Sequence, residues 1–287
     1  MYYKTITHIN RSAVVILVDC SLSMKSKTLY HNTVLTKQEV SFIVANHIIE
    51  ELVVRCDRRK RMRDYFDVAA IGYSGDEAFS LLPSYGEGFV KVIRLAEDRP
   101  QPRTVYLKQR LPDNSIKELP HIIYPWVETS ASGASPMYDA LLRTRALVSQ
   151  WCKERENCNS FPPLIINITD GACSDAYSTD LVDIAFDIRH LSTSDGKALI
   201  MTLHLSTIGD YDEPSEVYPC DLDCATCDQD RALMRHMSSL IPEELEPFIS
   251  MCLREGSSGP YRALALNHTP CSIISILNIG SISTYLR

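Results

Sequence analysis

The sequence predicts an α/β fold in which helices cover both faces of a doubly wound, mostly parallel sheet. Residues 14–18 are a continuous apolar run and residues 164–169 are mostly apolar, and both patterns are typical of parallel strands buried on both faces. Residues 35–54 carry apolar side chains at three- and four-residue spacing, which predicts a helix with one buried face. Strand and helix patterns then alternate along the chain, and this order favours a doubly wound sheet.

The other elements follow from the same patterns. The predicted strands are residues 14–18, 67–74, a short antiparallel edge at 77–82, 164–169, 198–205 and 261–266. The predicted helices are residues 35–54, 88–95, 136–151, 180–191, 232–240, 242–253 and 271–285. Ser135 directly precedes Pro136, and this pair predicts that Ser135 is the N-cap of the helix over 136–151.

Two segments interrupt the alternation of strands and helices. Residues 99–120 alternate polar and apolar side chains around Pro112-Asp113-Asn114, which predicts an inserted two-stranded hairpin. Residues 209–231 are acidic and contain proline and cysteine, which predicts a loop or flap.

Length and composition limit the class of protein. A chain of 287 residues with 45% hydrophobic residues can bury one large core, and we expect a single domain over residues 1–287. Its core is expected at about residues 11–210, with a C-terminal extension at about 211–287 packed on it. The net charge of −7 argues against nucleic acid as a partner, because phosphate contacts need basic surfaces. The basic run at residues 55–63 is expected to be the solvated end of a helix.

The expected compartment is the cytoplasm. The opening MYYKTITHIN lacks the features of a secretory signal, and no apolar run approaches the ~18 residues that span a bilayer. Ten cysteines without an export signal are expected to be reduced thiols. We therefore expect no membrane partner.

Five oxygen-bearing side chains from three segments form the candidate site, and we call them the oxygen cluster. Asp19, Ser21 and Ser23 follow the first apolar run, Asp170 follows the run at 164–169, and Ser135 opens a helix between them. Ligands of open α/β sheets bind at the carboxyl ends of the strands, so these side chains are expected to converge there. Two carboxylates and three hydroxyls are hard-oxygen donors suited to Mg²⁺ or Mn²⁺.

The spacing Asp-x-Ser-x-Ser alone has a second interpretation. Asp19 could be a turn residue, with the two serines bonded to backbone. The two further segments favour the metal site, because they would add a hydroxyl and a carboxylate at the same sheet edge. Neutral hydroxyl ligands leave the metal electrophilic, so it could accept a carboxylate from a partner protein.

The three motifs DCSLSM, GASPMYDAL and ITDG resemble the metal-ion-dependent adhesion site of von Willebrand factor A domains. The resemblance implies that Asp19, Ser21, Ser23, Ser135 and Asp170 hold the metal, the hydroxyls directly or nearly so and the aspartates through water. Ser135 stands where the family commonly has threonine. Segments near Leu203, Met237, Arg254, Arg262 and Ile276 resemble standalone bacterial domains of the tellurite-resistance-associated group. That group implies a role in stress or phosphorylation signalling, with a kinase or phosphatase as partner.

Other residue types offer two further candidates. Cys220, Cys224 and Cys227 have the C-x3-C-x2-C spacing of thiolate ligands, and Cys252, Cys271 or His236 could complete a Zn²⁺ site. Without a second C-x-x-C pair, ordinary buried cysteines are the expected interpretation. Asp139 and Asp175 could support the metal ligands, or they could stabilise a helix end or a turn. His47 and His204 are expected to be buried core residues.

These observations favour a metal-dependent protein-binding module that is not an enzyme. One alternative is an adaptor that binds partners through a zinc site or the cysteine flap. A second alternative is a metal-dependent hydrolase, which is disfavoured because the motifs supply hydroxyls and lack a general base.

Overall fold

A mixed eight-stranded sheet lies at the centre of the computed structural model. The structure describes residues 2–58, 61–110, 114–208, 216–221, 229–250, 253 and 259–266. The strands are β1 Ser12–Asp19, β2 Lys27–Tyr30, β3 Thr33–Thr36, β4 Asp57–Arg58, β5 Arg61–Met62, β6 Phe66–Ser74, β7 Glu77–Ser80, β8 Val90–Lys91, β9 Arg103–Arg110, β10 Ile116–Ile123, β11 Leu164–Thr169, β12 Ser192–Thr193, β13 Gly196–Lys197, β14 Leu199–His204, β15 Glu216–Val217 and β16 Leu264–Leu266. The α-helices are α1 Lys37–Cys56, α2 Val92–Glu97, α3 Met137–Lys153, α4 Ser178–His190, α5 Gln229–Met237 and α6 Glu246–Ile249.

The sheet order is β15-β16-β14-β11-β1-β6-β7, and β8 also pairs with β6. Strands β16, β14, β11, β1 and β6 are parallel to one another. Strands β7, β8 and β15 pair antiparallel at the two sides. The predicted doubly wound, mostly parallel sheet is confirmed.

Helices cover both faces of the sheet, which explains the apolar runs. Along β1, Val14, Ile16 and Val18 face the cluster that contains the buried side of α1, while Val15 and Leu17 face the cluster that contains α3 and α4. Every residue of β1 is buried, which accounts for the apolar run between its two polar ends, Ser12 and Asp19.

A hairpin that the sequence analysis did not predict precedes α1. Strands β2 and β3 pair antiparallel around His31 and Asn32, whose φ angles are 47° and 60°. Two positive φ angles in a two-residue turn are the geometry of a tight β-hairpin. Thr36 then begins α1 with a capping box, because its side chain accepts from the Glu39 N–H while the Glu39 carboxylate accepts from the Thr36 N–H.

The predicted hairpin insertion is confirmed as the β9–β10 pair. The chain that leaves β10 is held by two amide side chains of α1. Asn46 is fully buried and makes two hydrogen bonds to Val127, from the Val127 N–H (3.0 Å) and to its carbonyl oxygen (2.9 Å). Gln38 donates to the Thr129 carbonyl (2.6 Å) and accepts from the Ala131 N–H (3.1 Å). The two amide side chains thus provide backbone hydrogen-bond partners for the segment that leads to Ser135.

Two predicted helices differ from the observed elements. The segment at 88–95 contains β8, and helix α2 begins only at Val92. The segment at 242–253 contains a 3-10 turn over Glu243–Leu245 and the short helix α6. Pro247 lies in the first turn of α6, where its missing N–H prevents one continuous helix through this point. The helix predicted at 271–285 lies outside the described residues.

Residues beyond 210 contribute to the same sheet. Strand β16 pairs parallel with β14, and β15 pairs antiparallel with β16. Asp221 accepts from Arg262, which holds the pKa of that carboxyl below its usual range. Within the ranges that the structure describes, no helix has the length and apolar character needed to cross a bilayer.

Candidate functional site

The site lies at the carboxyl ends of β1 and β11. The two strands are parallel neighbours, with Val18 opposite Ile168, so Asp19 and Thr169 end side by side. The Asp19 side chain is the centre of the arrangement and is 1% exposed. One of its oxygens, Oδ1, accepts from the Ser21 N–H (2.9 Å). The other, Oδ2, lies 3.0 Å from Thr169 Oγ1 and 3.2 Å from Ser135 Oγ.

The first segment places its two serine hydroxyls together. Ser21 Oγ and Ser23 Oγ are 2.9 Å apart at the start of a 3-10 turn over Leu22–Lys25. Two backbone hydrogen bonds join this turn to the second segment, from the Leu22 N–H to the Gly133 carbonyl (2.9 Å) and from the Ser132 N–H to the Cys20 carbonyl (2.8 Å). Gly133 has a φ of +64°, and a Cβ there would lie 2.8 Å from the Gly75 backbone. The turn therefore needs glycine at this position.

Ser135 lies in the site, but it is not the N-cap of α3. Pro136 occupies that position and no side chain of the cap residue bonds the helix. The Ser135 hydroxyl lies instead between Asp19 and the Ala172 carbonyl oxygen, which is 2.9 Å away. The Ser135 N–H donates to Ser174 Oγ (3.0 Å), and the Ser174 N–H donates to the Ser135 carbonyl (2.9 Å). The second and third segments are thus joined directly.

Asp175 provides the cap that was expected of Ser135. Its carboxylate accepts from the N–H groups of Tyr138 (3.1 Å) and Asp139 (2.9 Å) in the first turn of α3. The Asp139 carboxylate accepts from the Ala78 N–H (2.8 Å) on β7. Of the two interpretations of these aspartates, the structure favours the stabilising one. Asp175 caps the first turn of α3, and Asp139 bonds a backbone N–H of β7. Asp175 thereby joins the third segment to α3, and Asp139 joins α3 to β7.

Asp170 faces a lysine that the sequence analysis did not identify. Asp170 Oδ2 is 3.1 Å from Lys37 Nζ, and the two side chains are 5% and 6% exposed. Asp170 Oδ1 accepts from the Ala172 N–H (3.3 Å). His204 is buried as expected, but its Nε2 lies 3.1 Å from the Asp170 carbonyl oxygen. A carbonyl oxygen only accepts, so a hydrogen bond at this contact needs the tautomer with its proton on Nε2.

Burial governs the charge of the site. Desolvation raises the pKa of Asp19 to about 6, the hydrogen bonds from Ser21 and Thr169 lower it, and the negative charge of Asp170 raises it. A buried carboxylate with this pKa gains from any positive charge placed beside it. A cavity of about 290 Å³ adjoins the cluster and is lined by residues that include Ser23, Ser26, Lys37, Asp170 and His204.

The donor set is compatible with Mg²⁺ or Mn²⁺. The residues that could hold the ion are the members of the oxygen cluster, whose donors are all oxygens, and the raised pKa of Asp19 is consistent with a need for a cation. Nowhere in the described ranges do three or more His, Cys, Asp or Glu side chains form a group that could hold a metal. Binding at this site would therefore depend on the serine hydroxyls as well as the two carboxylates.

The predicted zinc site stays a prediction. Cys220 is half-buried and is a free thiol. Cys224 and Cys227 lie outside the described residues.

Thr169 is a site residue that the sequence analysis missed, although it directly precedes Asp170. Its fully buried hydroxyl donates to Asp19 Oδ2 and accepts from the Gly171 N–H (3.0 Å).

Replacing Thr169 with valine keeps the shape of the side chain and removes both hydrogen bonds, so we expect a loss of about 2 kcal/mol in the free energy of unfolding. Urea denaturation measures this loss, and Thr169→Ser, which keeps the hydroxyl, is expected to retain most of the stability. Equal stability of the valine and serine variants would contradict the assignment.

The chain is similar to solved structures, three of which are described below. No protein-family model and no curated protein sequence matches the chain. One similar structure is a von Willebrand factor type A protein from Catenulispora acidiphila, with 13% identity, a TM-score of 0.39, and coverage of 68% of this chain but only 33% of that one. A second contains three N-terminal domains of the type V pili tip protein Mfa5 from Porphyromonas gingivalis, with 12% identity, a TM-score of 0.35, and coverage of 59% and 21%. A third is an aerotolerance-related membrane protein from Bacteroides fragilis, with 14% identity, a TM-score of 0.35, and coverage of 79% and 86%. The chain thus spans about a third of the first protein and about a fifth of the second.

Proposed function

We propose that this protein is a metal-dependent protein-binding module whose oxygen cluster holds Mg²⁺ or Mn²⁺. The observation that carries the proposal is the convergence on Asp19, whose carboxylate lies within hydrogen-bond distance of Ser21, Ser135 and Thr169. These contacts bring three separate segments to one sheet edge before any ion is added. A bound divalent ion would supply an electrophilic centre for an Asp or Glu carboxylate of a partner protein.

The residues around the cluster have distinct parts in this proposal. The side chains of Ser21, Ser23, Ser135, Asp19 and Asp170 would hold the ion. Ser174 and Asp175 join the third segment to the second through hydrogen bonds with backbone N–H groups, and Asp139 joins α3 to β7. Preorganised loops of this kind lower the entropic cost of binding.

Binding is favoured over hydrolysis by the residue types of the oxygen cluster. A hydrolase would need a general base beside the cluster. The cluster supplies three hydroxyls and two carboxylates that would hold the ion, and Nε2 of the nearby His204 contacts the Asp170 carbonyl oxygen (3.1 Å). Turnover of generic phosphoesters that disappears in Asp170→Ala would favour the hydrolase instead.

The expected partner is an acidic segment of another protein. The resemblance to the tellurite-resistance-associated group supports a partner in stress or phosphorylation signalling, such as a kinase or phosphatase, in the cytoplasm. An adaptor that recognises partners through Cys220 and its flap is the alternative, and metal analysis of the purified protein separates the two. One equivalent of zinc would favour the flap.

Affinity capture from cell extract in Mg²⁺ and in EDTA tests the proposal. We expect a partner that is retained in Mg²⁺ and released by EDTA, and that is not retained by Ser23→Ala. Ser26→Ala is the matched control, because Ser26 lines the same cavity without belonging to the oxygen cluster. Equal capture by Ser23→Ala, or capture that EDTA leaves unchanged, would show that the cluster is not the binding site.

A further inference from the structure

The buried ion pair between Lys37 and Asp170 lies inside the proposed metal site. The ammonium and the carboxylate are 3.1 Å apart, and neither side chain is more than 6% exposed. A buried charge is tolerated only when an opposite charge offsets its desolvation. Each member of this pair therefore depends on the other while no metal is present.

The backbone around Lys37 holds the ammonium in this position. Lys37 is the first residue of α1 and lies inside the capping box that Thr36 forms with Glu39. Its N–H donates to the Ser26 carbonyl (2.9 Å), and its carbonyl accepts from Ser41 Oγ (2.9 Å). A cation at a helix N-terminus is disfavoured by the helix dipole, so Asp170 must offset that cost as well.

The summed charge of the site indicates that the Lys37 ammonium and a divalent ion compete for the same carboxylates. The two carboxylates of the oxygen cluster, Asp19 and Asp170, carry −2 when ionised, and Lys37 reduces this sum to −1; Asp230, which also lines the cavity, is not counted in it. A divalent ion together with Lys37 gives +1, whereas a divalent ion without Lys37 gives zero. Lys37 and a metal ion are therefore competitors for the same negative charge, and at effective dielectric constants near 20 such charges interact strongly at contact distance.

We propose that Lys37 is the built-in counter-cation of this site: it stabilises the metal-free protein and lowers the affinity of the oxygen cluster for divalent cations. This inference rests on the proposed function, since it concerns the regulation of the same site. The ammonium must give up Asp170 Oδ2 when an ion takes that oxygen. The site thus responds to the divalent-cation concentration over a higher range than the oxygen cluster alone would.

Mn²⁺ and Mg²⁺ titration calorimetry on Lys37→Met and Lys37→Gln tests the proposal. We expect both variants to bind the ion at least about tenfold more tightly than the unaltered chain, because the competing charge is gone. Lys25→Gln is the matched control, since Lys25 is an exposed lysine two residues after Ser23, and its affinity is expected to stay within about twofold. Lys37→Arg keeps the charge and is expected to remain weak.

Thermal unfolding without metal provides a second readout. We expect Lys37→Met to lower the metal-free Tm, and Asp170→Asn in the same chain to restore part of the loss, because the unpaired carboxylate is removed. Added Mg²⁺ should raise the Tm of Lys37→Met more than that of the unaltered chain.

The outcomes separate this inference from the proposed function. If Lys37→Met binds the ion with unaltered affinity while the original chain also binds it, the counter-cation role is wrong and the proposed function stands. If Lys37→Met binds and the original chain does not, the role of Lys37 is supported and the proposed function fails. Absence of binding in every variant would overturn both.

Discussion

Replacing Asp19 with asparagine is expected to weaken Mg²⁺ binding by at least about a hundredfold while leaving the protein folded. Oδ1 of the carboxylate accepts from the Ser21 N–H, and Oδ2 is contacted by both Thr169 and Ser135. Asparagine removes the negative charge of this ligand and replaces one of the two acceptor oxygens with an NH₂ group. Two effects on stability oppose each other. The lost acceptor costs hydrogen bonds, while removal of a buried carboxylate with a pKa of about 6 relieves desolvation, so we expect a net change within about 2 kcal/mol.

Titration calorimetry and urea denaturation on the same preparation measure the two quantities. Asp76→Asn is a suitable control, since Asp76 is an exposed carboxylate in the turn after β6 and carries the same charge change. An Asp19→Asn variant that binds Mg²⁺ as tightly as the unaltered chain would show that Asp19 is only a turn residue.

Replacing Asn46 with alanine is expected to lower the free energy of unfolding by about 3 kcal/mol. The Asn46 amide is the hydrogen-bond partner of both backbone groups of Val127, and both Asn46 and Val127 are fully buried. Alanine leaves a buried N–H and a buried carbonyl without these bonds, and each such group costs about 1–3 kcal/mol.

Urea denaturation measures the loss, with Gln150→Ala as the control. Gln150 is an exposed amide on α3, and its replacement is expected to change stability by less than about 0.5 kcal/mol. We also expect Asn46→Ala to weaken metal binding a few-fold, because the segment that leads from Val127 to Ser135 would be less ordered. A stability loss no larger than that of Gln150→Ala would mean that the segment is held by other contacts.

The sheet and the oxygen cluster could be predicted because their signals are local. Strands buried on both faces are predominantly apolar, so β1 and β11 are visible as apolar segments of the sequence. Asp19 and Asp170 directly follow those segments, and parallel strands bring such residues to one edge. The approach of Asp19 and Asp170 therefore follows from their positions at the ends of two parallel strands.

The contacts that complete the site could not be predicted in the same way. Lys37 and Asp170 are 133 positions apart in the sequence, and no local sequence pattern around either residue predicts that they form an ion pair. Asn46 lies on the apolar face of α1, where its role becomes visible only once the chain after β10 is in place. The β2–β3 hairpin lacks glycine in its turn, so the usual Asn-Gly or Asp-Gly signal is missing.

The N-cap prediction for Ser135 failed for a related reason. A serine before Pro136 has the right position for a cap, but its hydroxyl has stronger partners in Asp19 and the Ala172 carbonyl. Asp175 then bonds the N–H groups of α3 from another segment. Local preference was overridden by these two acceptors, which share the single proton of the Ser135 hydroxyl.

Mn²⁺ titration followed by electron paramagnetic resonance tests the central claim most directly, because it counts free ion without relying on a partner. We expect the unaltered chain to lower the free-ion signal below that of buffer alone, with bound ion saturating at one equivalent. We also expect Ser23→Ala to weaken this binding by at least about tenfold while Ser26→Ala retains it. A free-ion signal equal to that of buffer alone throughout the titration, or equal binding by the two serine variants, would contradict the metal site.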